Sequence, residues 1–544
     1  MKAPRPIELS LEELEAVVRR AELGKLRDGD AQIIKAMMET IKFLSAALQE
    51  KNISLKRLRN IIFGPKTEKT EAVVKKPQGV ESNIESTDNG AAARGTELQK
   101  NKRKGHGRNG AEAYRGAERV QIPHPTLKPK DPCPVCPKGK LYDTKRPLVV
   151  VRVVGKPPVQ AKVFELQKLR CNLCGEVFPA DLPEDCADEK YDASAGSIIA
   201  LLKYGGGFPF YRLEKLQDNF EVPLPASTQW EIVEGKADRI YPVYNELIHQ
   251  AAQGDVVHND DTVMKILELM KENKNAEQQV PGRGNRTGMF TTGILSIQGK
   301  RKIALFHTGR KHAGENMSDV LRQRDTDRGP PIQMCDALSR NVPEELKVIL
   351  ANCLAHARRK FVDVAEVFPE ECRIVLEILK EVYEHDEEAK KQHLSAQQRL
   401  ELHQSKSGPL MEELKNWLEE QVQWKKVEPN SSMGQAFSYM LNHWEPLTLF
   451  LRLPGAPLDN NICERVLKRA ILNRKNSLFY KTSHGAYVGD LFMSIIYTCD
   501  LAGINAFEYL NVLEENSAEL FKHPELWLPW NYRQQLIGQA DQPA

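Results

Sequence analysis

The sequence predicts a multidomain α+β protein, and three observations carry that prediction. Apolar residues repeat every seven positions within the first 65 residues. Two Cys-x-x-Cys pairs stand in one β-rich segment. From residue 254 onward strand and helix signals alternate, with carboxylates at strand ends. The 544 residues are enough for about three or four domains at roughly 150 residues each. A content of 41% hydrophobic and 28% charged residues excludes wholesale disorder. No apolar run approaches the roughly 18 residues needed to span a bilayer. Met1-Lys-Ala-Pro-Arg leads into Glu-rich helical sequence, so no signal peptide is expected. With 77 Lys+Arg against 74 Asp+Glu, the net charge of +3 gives no indication of nucleic acid.

Residues 1–65 form the helical leader. Ile34, Ile41, Leu48, Leu55 and Ile62 make one row, Met37, Leu44 and Leu58 the companion row, with Lys51 on the seam. A coiled coil and an amphipathic helix packed on its own domain both fit this pattern. Gly64-Pro65 ends the helix. Residues 66–125 have no sustained period and read as a flexible linker. Within it Arg94–Arg119 holds eight basic and three acidic residues, among them Lys102, Arg103, Lys104 and Arg108. This is either an arm for phosphate contacts or a solvated linker.

Residues 126–182 contain Cys133, Cys136, Cys171 and Cys174, with β-rich runs at Leu148–Val154 and Ala161–Leu169 between the pairs. Two knuckles joined by strand pairing give a zinc ribbon whose Zn²⁺ is structural, because four thiolates leave no open position for catalysis. The other six of the ten Cys are scattered, in a chain too long and Cys-poor for a secreted disulfide scaffold, which points to a reducing cytosol. Residues 183–250 read as a helical connector, with a turn at Tyr204-Gly-Gly-Gly-Phe208. Ser227–Trp230, after Pro225, reads as the opening of a short second helix. A DNA-binding helix-turn-helix and a plain connector both suit this stretch.

Residues 251–365 carry the alternation. Asp255–Thr262 is a strand running into Asp260 and Asp261; Thr287–Gln298 and Lys302–His307 are strands about a turn at Gly299-Lys300. A helix near Gly314–Gln323, a strand Pro331–Asp336, a helix Pro343–Lys347, a strand Val348–Leu354 and the run Ala355–Lys360 follow. The order βββαβαβα, with acids ending the first and fourth strands, predicts a ribonuclease-H-like α/β catalytic domain. In that layout Asp260 and Asp336 are neighbours. A third carboxylate should come from a later helix: Asp459 or Asn460 is placed to N-cap a helix carrying Glu464 on its first turn. Three carboxylates holding two Mg²⁺ ions suit phosphodiester attack by water or a 3′-hydroxyl. A lone strand-end Asp, in a chain with 74 acids, is as readily a turn residue or cap.

These residues resemble the transposases of the insertion sequence 66 family over nearly the whole chain. The resemblance rests on an ordered series: Arg57-Leu-Arg-Asn-Ile-Ile-Phe-Gly64, Gly105-His-Gly-Arg108, the Cys pairs, and Lys203-Tyr through Pro209-Phe-Tyr-Arg212. His258-Asn-Asp260-Asp261-Thr262, Cys353-Leu-Ala-His356-Ala-Arg-Arg-Lys-Phe361, Asp459-Asn-Asn-Ile-Cys-Glu464-Arg465 and Arg474-Lys-Asn-Ser-Leu-Phe479 complete it. It implies a DDE recombinase with catalytic Asp260, Asp336 and Glu464 and a helical insertion before the Glu, here residues 366–452, with 453–544 completing the core. Asp261 replaces the family's usual Glu, and Ala-Leu-Ser-Arg-Asn follows Asp336 where a Gly-Tyr run is common.

The charge distribution fits DNA better than its sum does. Arg465–Lys481 has six basic residues and no acids, Lys300–Lys311 five and none, whereas Glu366–Glu388 has nine acids against two bases. Arg358, Arg359, Arg465, Lys468, Arg469, Arg474 and Lys475 are the expected phosphate contacts in this part of the chain. His258 and His356 either orient the site or are structural. The expected activity is cleavage at the element's ends and joining of the 3′-hydroxyls to target DNA; the alternative is an inactive or domesticated zinc-containing DNA-binding relative. The expected partners are terminal inverted repeats, target DNA and a second copy held through the leader helix, with small accessory proteins implied by the resemblance. No membrane is expected. The location is the bacterial cytoplasm, at the nucleoid when bound to DNA.

Overall fold

The computed structural model describes residues 190–279, 287–424 and 426–540, with short stretches between 121 and 183 and the single residues Arg20 and Asp30. The heptad rows, the arm residues Lys102, Arg103, Lys104 and Arg108, the run 148–154 and the ligand set Cys133, Cys136, Cys171 and Cys174 lie outside the described residues. Beside the Cys pairs, Pro132 bridges antiparallel to Lys140, and β1 (Lys168–Arg170) pairs antiparallel with β2 (Val177–Pro179). The strand expected over Ala161–Leu169 shrinks to the end that has this partner. Val163 and Phe164 before it are 85% and 46% exposed, so no packed face rewards extension there.

The chain divides into two compact units. One contains the described part of Gln78–Val243, Leu472–Leu478 and Gly503–Ala544; the other contains Tyr244–Ile471 and Phe479–Ala502. In the first lie α1 (Ala193–Ala200), a π-helical turn Leu201–Gly205, α2 (Phe210–Asp218) and most of α3 (Ala226–Ala252). The short helix expected at Ser227 is 27 residues long. Val233, Ala237, Ile240, Tyr244, Leu247 and Ala251 are all buried at alternating spacings of four and three, a stripe that favours continuation past Pro242. Gly207, at φ +68, turns the chain where an added Cβ would strike Leu472.

The second unit is built on a five-stranded mixed sheet. After β3 (Val256–Val263) come α4 (Leu267–Gln279), β4 (Phe290–Gln298), β5 (Arg301–Gly309), α5 (Ala313–Leu321), β6 (Ile332–Cys335), β7 (Ile349–Asn352) and α6 (Leu354–Val362). The strand order is β5-β4-β3-β6-β7. The first three are antiparallel, and β6 and β7 run parallel to β3. This strand order is consistent with the ribonuclease-H-like core expected from the sequence. Two differences from the sequence reading stand out: α4 enters between the first two strands, and Pro343–Lys347 is a bend following a 3₁₀ turn at Ser339–Asn341. The connection from Cys335 to Ile349 spends its first residues on that 3₁₀ turn. Gly314 packs tightly against the carbonyls of Arg340 and Val342, which holds the chain in this path and leaves Pro343–Lys347 too short for a stable helix.

Helices α7 (Pro369–Lys391), α8 (Ala396–Leu402), α9 (Gly408–Gln423), α10 (Ser432–Asn442) and α11 (Trp444–Leu447) follow α6, then α12 (Asn461–Ser477) and α13 (Ser483–Ala502). One apolar core joins Ile332, Met334 and Ala351 of the sheet to Phe361, Leu379, Leu414 and Phe437 of the helices. Helix α13 closes the β5 edge by hydrogen bonding. The N–H groups of Ala304, Phe306 and Thr308 donate to the side chains of Thr498, Ser494 and Asp490 at 3.1, 2.9 and 2.6 Å. Helix residues four apart rise about 6.0 Å and strand residues two apart about 6.6 Å, so the two ladders nearly match. An edge that would otherwise invite another strand is thereby satisfied. Helix α14 (Ala506–Glu515), α15 (Ser517–Lys522) and α16 (Tyr532–Ala540) return to the first unit, with α14 against α1.

Candidate active site

The strand β3 presents alternate residues to opposite faces of the sheet. His258 and Asp260 share one face; Asn259 and Asp261 share the other. Parallel pairing of Val256, Val257 and His258 with Ile332, Gln333 and Met334 sets the register. Two residues further along, Asp260 comes level with Asp336, immediately beyond β6, on the face bearing Met334. The first two expected carboxylates are thus on adjacent parallel strands.

Glu464 comes from the first turn of α12. That turn lies close over the sheet because Asp260's partner on β4 is Gly293. A Cβ at Gly293 would stand 3.0 Å from Leu467 Cδ2 and 3.6 Å from Val466 Cγ1. Cys463 Sγ donates to the Gly293 carbonyl at 3.4 Å. A lone glycine inside a strand was the sequence signal for this close approach, and the sequence reading passed over it. Asp459 Oδ1 accepts the N–H of Asn461 at 3.1 Å, while the Asn460 carbonyl accepts from Cys463 and Glu464 at 2.9 and 3.1 Å. Asn460 therefore occupies the N-cap position, but its side chain bonds to β3 rather than to the helix.

The acids perturb one another. Burial pushes the Asp260 carboxyl up to about 7; the charge of Asp336 adds to this, as do Asp261 and Glu464, while the Asp261 N–H, at 2.8 Å, opposes it. Asp336 accepts hydrogen bonds from the Asn341 amide and from Leu338 N. His356 Nε2 stands 3.8 Å from Glu464 Oε1, and its Nδ1 is buried without a hydrogen-bond partner. Among the described residues, no three His, Cys, Asp or Glu side chains are already drawn together as one ion's ligands. The donor set nevertheless suits a hard divalent cation: carboxylate oxygens whose negative charges act on one another.

Asp261 takes no part in that group. Its nearly buried carboxylate meets His312 Nδ1 at 3.1 Å and Arg340 Nη2 at 3.3 Å on the opposite face. Arg340 also stacks over Phe290, 5.9 Å from the ring centre. His258 is buried, and burial lowers its pKa to about 4, so it is neutral. Tyr439 of α10 was not anticipated either. Its phenol is pushed up to about 12, first by burial and then by Asp336, which brings a side chain of the helical segment beside that acid.

The expected phosphate contacts divide. Arg465, Lys468 and Lys475 of α12 are exposed; Arg474, on the same helix, and Arg358 and Arg359 of α6 are half-buried. Arg469 is committed to Asp500 and stacks 5.2 Å over Tyr497. The Lys300–Lys311 run does not lie beside the acids as one patch. Lys302 pairs with Ile297, whose partner is Val256 at the start of β3, four residues and about 13 Å from Asp260 along the strand. Arg310 is near the acidic end but bonds to Asn273 at 2.6 Å and Glu272 at 3.1 Å.

Residues 190–487 match the family model described as "Transposase IS66 family". Among curated proteins, the uncharacterized protein y4jD of Sinorhizobium fredii (strain NBRC 101917 / NGR234) is 28% identical over 389 residues, 68% of this chain and 72% of that protein. The uncharacterized protein y4hP of the same strain is 26% identical over 448 residues, 76% of this chain and 75% of its own length.

Proposed function

The chain belongs to the IS66 transposase family, and from that premise we propose that it cleaves the ends of its mobile element and joins the 3′-hydroxyls to target DNA. The observation that supports this reading is the register that brings Asp336 level with Asp260, together with the charge of Glu464 acting on Asp260 from the first turn of α12. These three carboxylates would hold two Mg²⁺ ions. When bound, Mg²⁺ supplies Lewis-acid polarisation of the phosphate and a lower pKa for the attacking water or hydroxyl. Asp260 must give up the proton it holds near pH 7 to act as a ligand. Arg465 and Lys468, one and four residues beyond Glu464, are exposed, and they would hold a backbone phosphate without reading sequence.

The test is strand transfer with pre-cut element ends and Mg²⁺. The Glu464→Gln protein should lose joining by roughly a thousandfold or more while still binding ends. Joining that survives this change refutes the assignment. If the unaltered chain binds ends but never cleaves or joins them, the second reading, an inactive zinc-containing DNA-binding relative, takes its place.

The remaining parts of the reading concern residues before 183. A structural Zn²⁺ on Cys133, Cys136, Cys171 and Cys174 is supported by the antiparallel segments flanking each pair. Metal analysis should find about one tightly held Zn²⁺ per chain, and four free thiols would exclude it. The leader helix is proposed to pair two copies so that two ends are handled together. Polar residues in place of Ile41 and Leu48 should lower the oligomer order in sedimentation, and an unchanged value moves that helix to an intramolecular role.

A further inference from the structure

Beneath the candidate site, two residues separated by 202 positions meet: His258 Nδ1 stands 3.0 Å from Asn460 Oδ1. Both are almost wholly buried. The other end of the Asn460 amide, Nδ2, donates to the Asn259 carbonyl at 3.0 Å. Because Nδ2 faces an acceptor, Oδ1 can only accept, and the hydrogen of the His258 ring must be on Nδ1. The Asn460 main chain is engaged as well. Its N–H donates to Cys353 Sγ at 3.2 Å, and its carbonyl receives the N–H groups of Cys463 and Glu464.

An N-cap side chain ordinarily bonds to its own helix. Asn460 instead reaches sideways to β3, two residues before Asp260 on the same face, while its carbonyl starts the turn that carries Glu464. Buried amide groups must keep their partners or lose the full cost of desolvation. Sliding α12 along the sheet, or rotating it, would break both side-chain bonds at once. The bonds therefore fix the frame of one carboxylate relative to the other.

We propose that Asn460 and His258 are positioning residues, a clamp that sets the separation of Asp260 and Glu464. The proposal rests on the reading of those two acids as metal ligands. Neither clamp residue touches the reacting atoms; they act through the strand and the helix. Groups that orient ligands from outside the coordination shell ordinarily change metal affinity or activity by about 10–100-fold when removed.

Three variants test this. Asn460→Ala removes the acceptor. His258→Phe keeps ring volume without a donor. His258→Asn places an amide N–H where the Nδ1–H stood. In the full chain, Asn460→Ala and His258→Phe should raise the Mg²⁺ concentration for half-maximal joining by about 10–100-fold, with end binding unchanged. His258→Asn should restore the Mg²⁺ response to near the unaltered level. Nitrogen NMR of labelled histidine gives a readout independent of activity: the His258 ring should be the Nδ1–H tautomer in the unaltered protein and lose that preference in Asn460→Ala.

An unchanged Mg²⁺ response in Asn460→Ala, or equal behaviour of His258→Phe and His258→Asn, overturns the clamp. Should Asn460→Ala fail to fold, the His258 pair decides alone. If the unaltered chain does not join DNA, the functional reading fails, while the tautomer comparison still tests the clamp.

Discussion

Asp490, on α13 at the β5 edge, and Asp260, on β3, are both pushed up to about 7, and burial is the first cause for each. The groups around them differ. Asp490 meets donors: the Thr308 N–H and hydroxyl reach its two oxygens at 2.6 and 2.7 Å and oppose the rise. Asp260 meets other acids, with Asp336, Asp261 and Glu464 all adding to the rise. One aspartate is shifted where its hydrogen bonds are complete, at a sealed edge; the other is shifted where negative charge gathers. The comparison teaches that the size of a carboxyl shift does not mark a reactive site, but the sign of its neighbours does.

The two can be separated by matching substitutions. Asp260→Asn should reduce joining by roughly a thousandfold or more, whereas Asp490→Asn should leave joining measurable. For both acids the folded value lies above the ordinary carboxylate range. Each therefore contributes stability that is full below about pH 4 and lost as pH rises to about 7, because the folded state keeps a proton the unfolded chain has released. In metal-free protein, Asp490→Asn should remove a fall on the order of 4 kcal/mol across that window, read by denaturant unfolding at pH 4 and pH 7. Mg²⁺ should stabilise the unaltered chain increasingly as pH rises toward 7 and should not stabilise Asp260→Asn. Joining by Asp260→Asn at the unaltered rate would erase the distinction.

A smaller effect is expected opposite Asp260. Gly293→Ala puts a methyl group against Leu467 and Val466 and should cost about 1–3 kcal/mol of stability, with reduced joining and no effect on the Asp490 contribution. A neutral outcome would show that α12 does not depend on that close approach.

Much of this was legible in the sequence. The strand carrying Asp260, the strand ending just before Asp336, the hairpin turn at Gly299, and the helix opening at Asn461 each have signals carried by residues close along the chain, although β3 runs on past the acids to Val263. The bend at Pro343–Lys347 was misread because a helix-like composition over five residues says nothing about the space between two strands. The helix opening at Ser227 was expected to be short, while the buried stripe of α3 runs on through Pro242 to Ala252. The Lys300–Lys311 run looked like one patch until the register placed its two ends at opposite ends of the strands.

By itself, then, the sequence determined the family motifs, the order of the strands through the core, and the chemical type of the three candidate ligands. Those depend on hydrophobic period, turn chemistry and residue identity, all local properties. Tertiary structure alone decided that Asp261 turns away from Asp260, that Asn460 bonds to His258, that Gly293 admits α12, and that α13 seals β5. Each of these is a contact between segments distant along the chain or a choice of face. Such contacts are set by packing and by the need to pair buried polar groups, which no local pattern encodes.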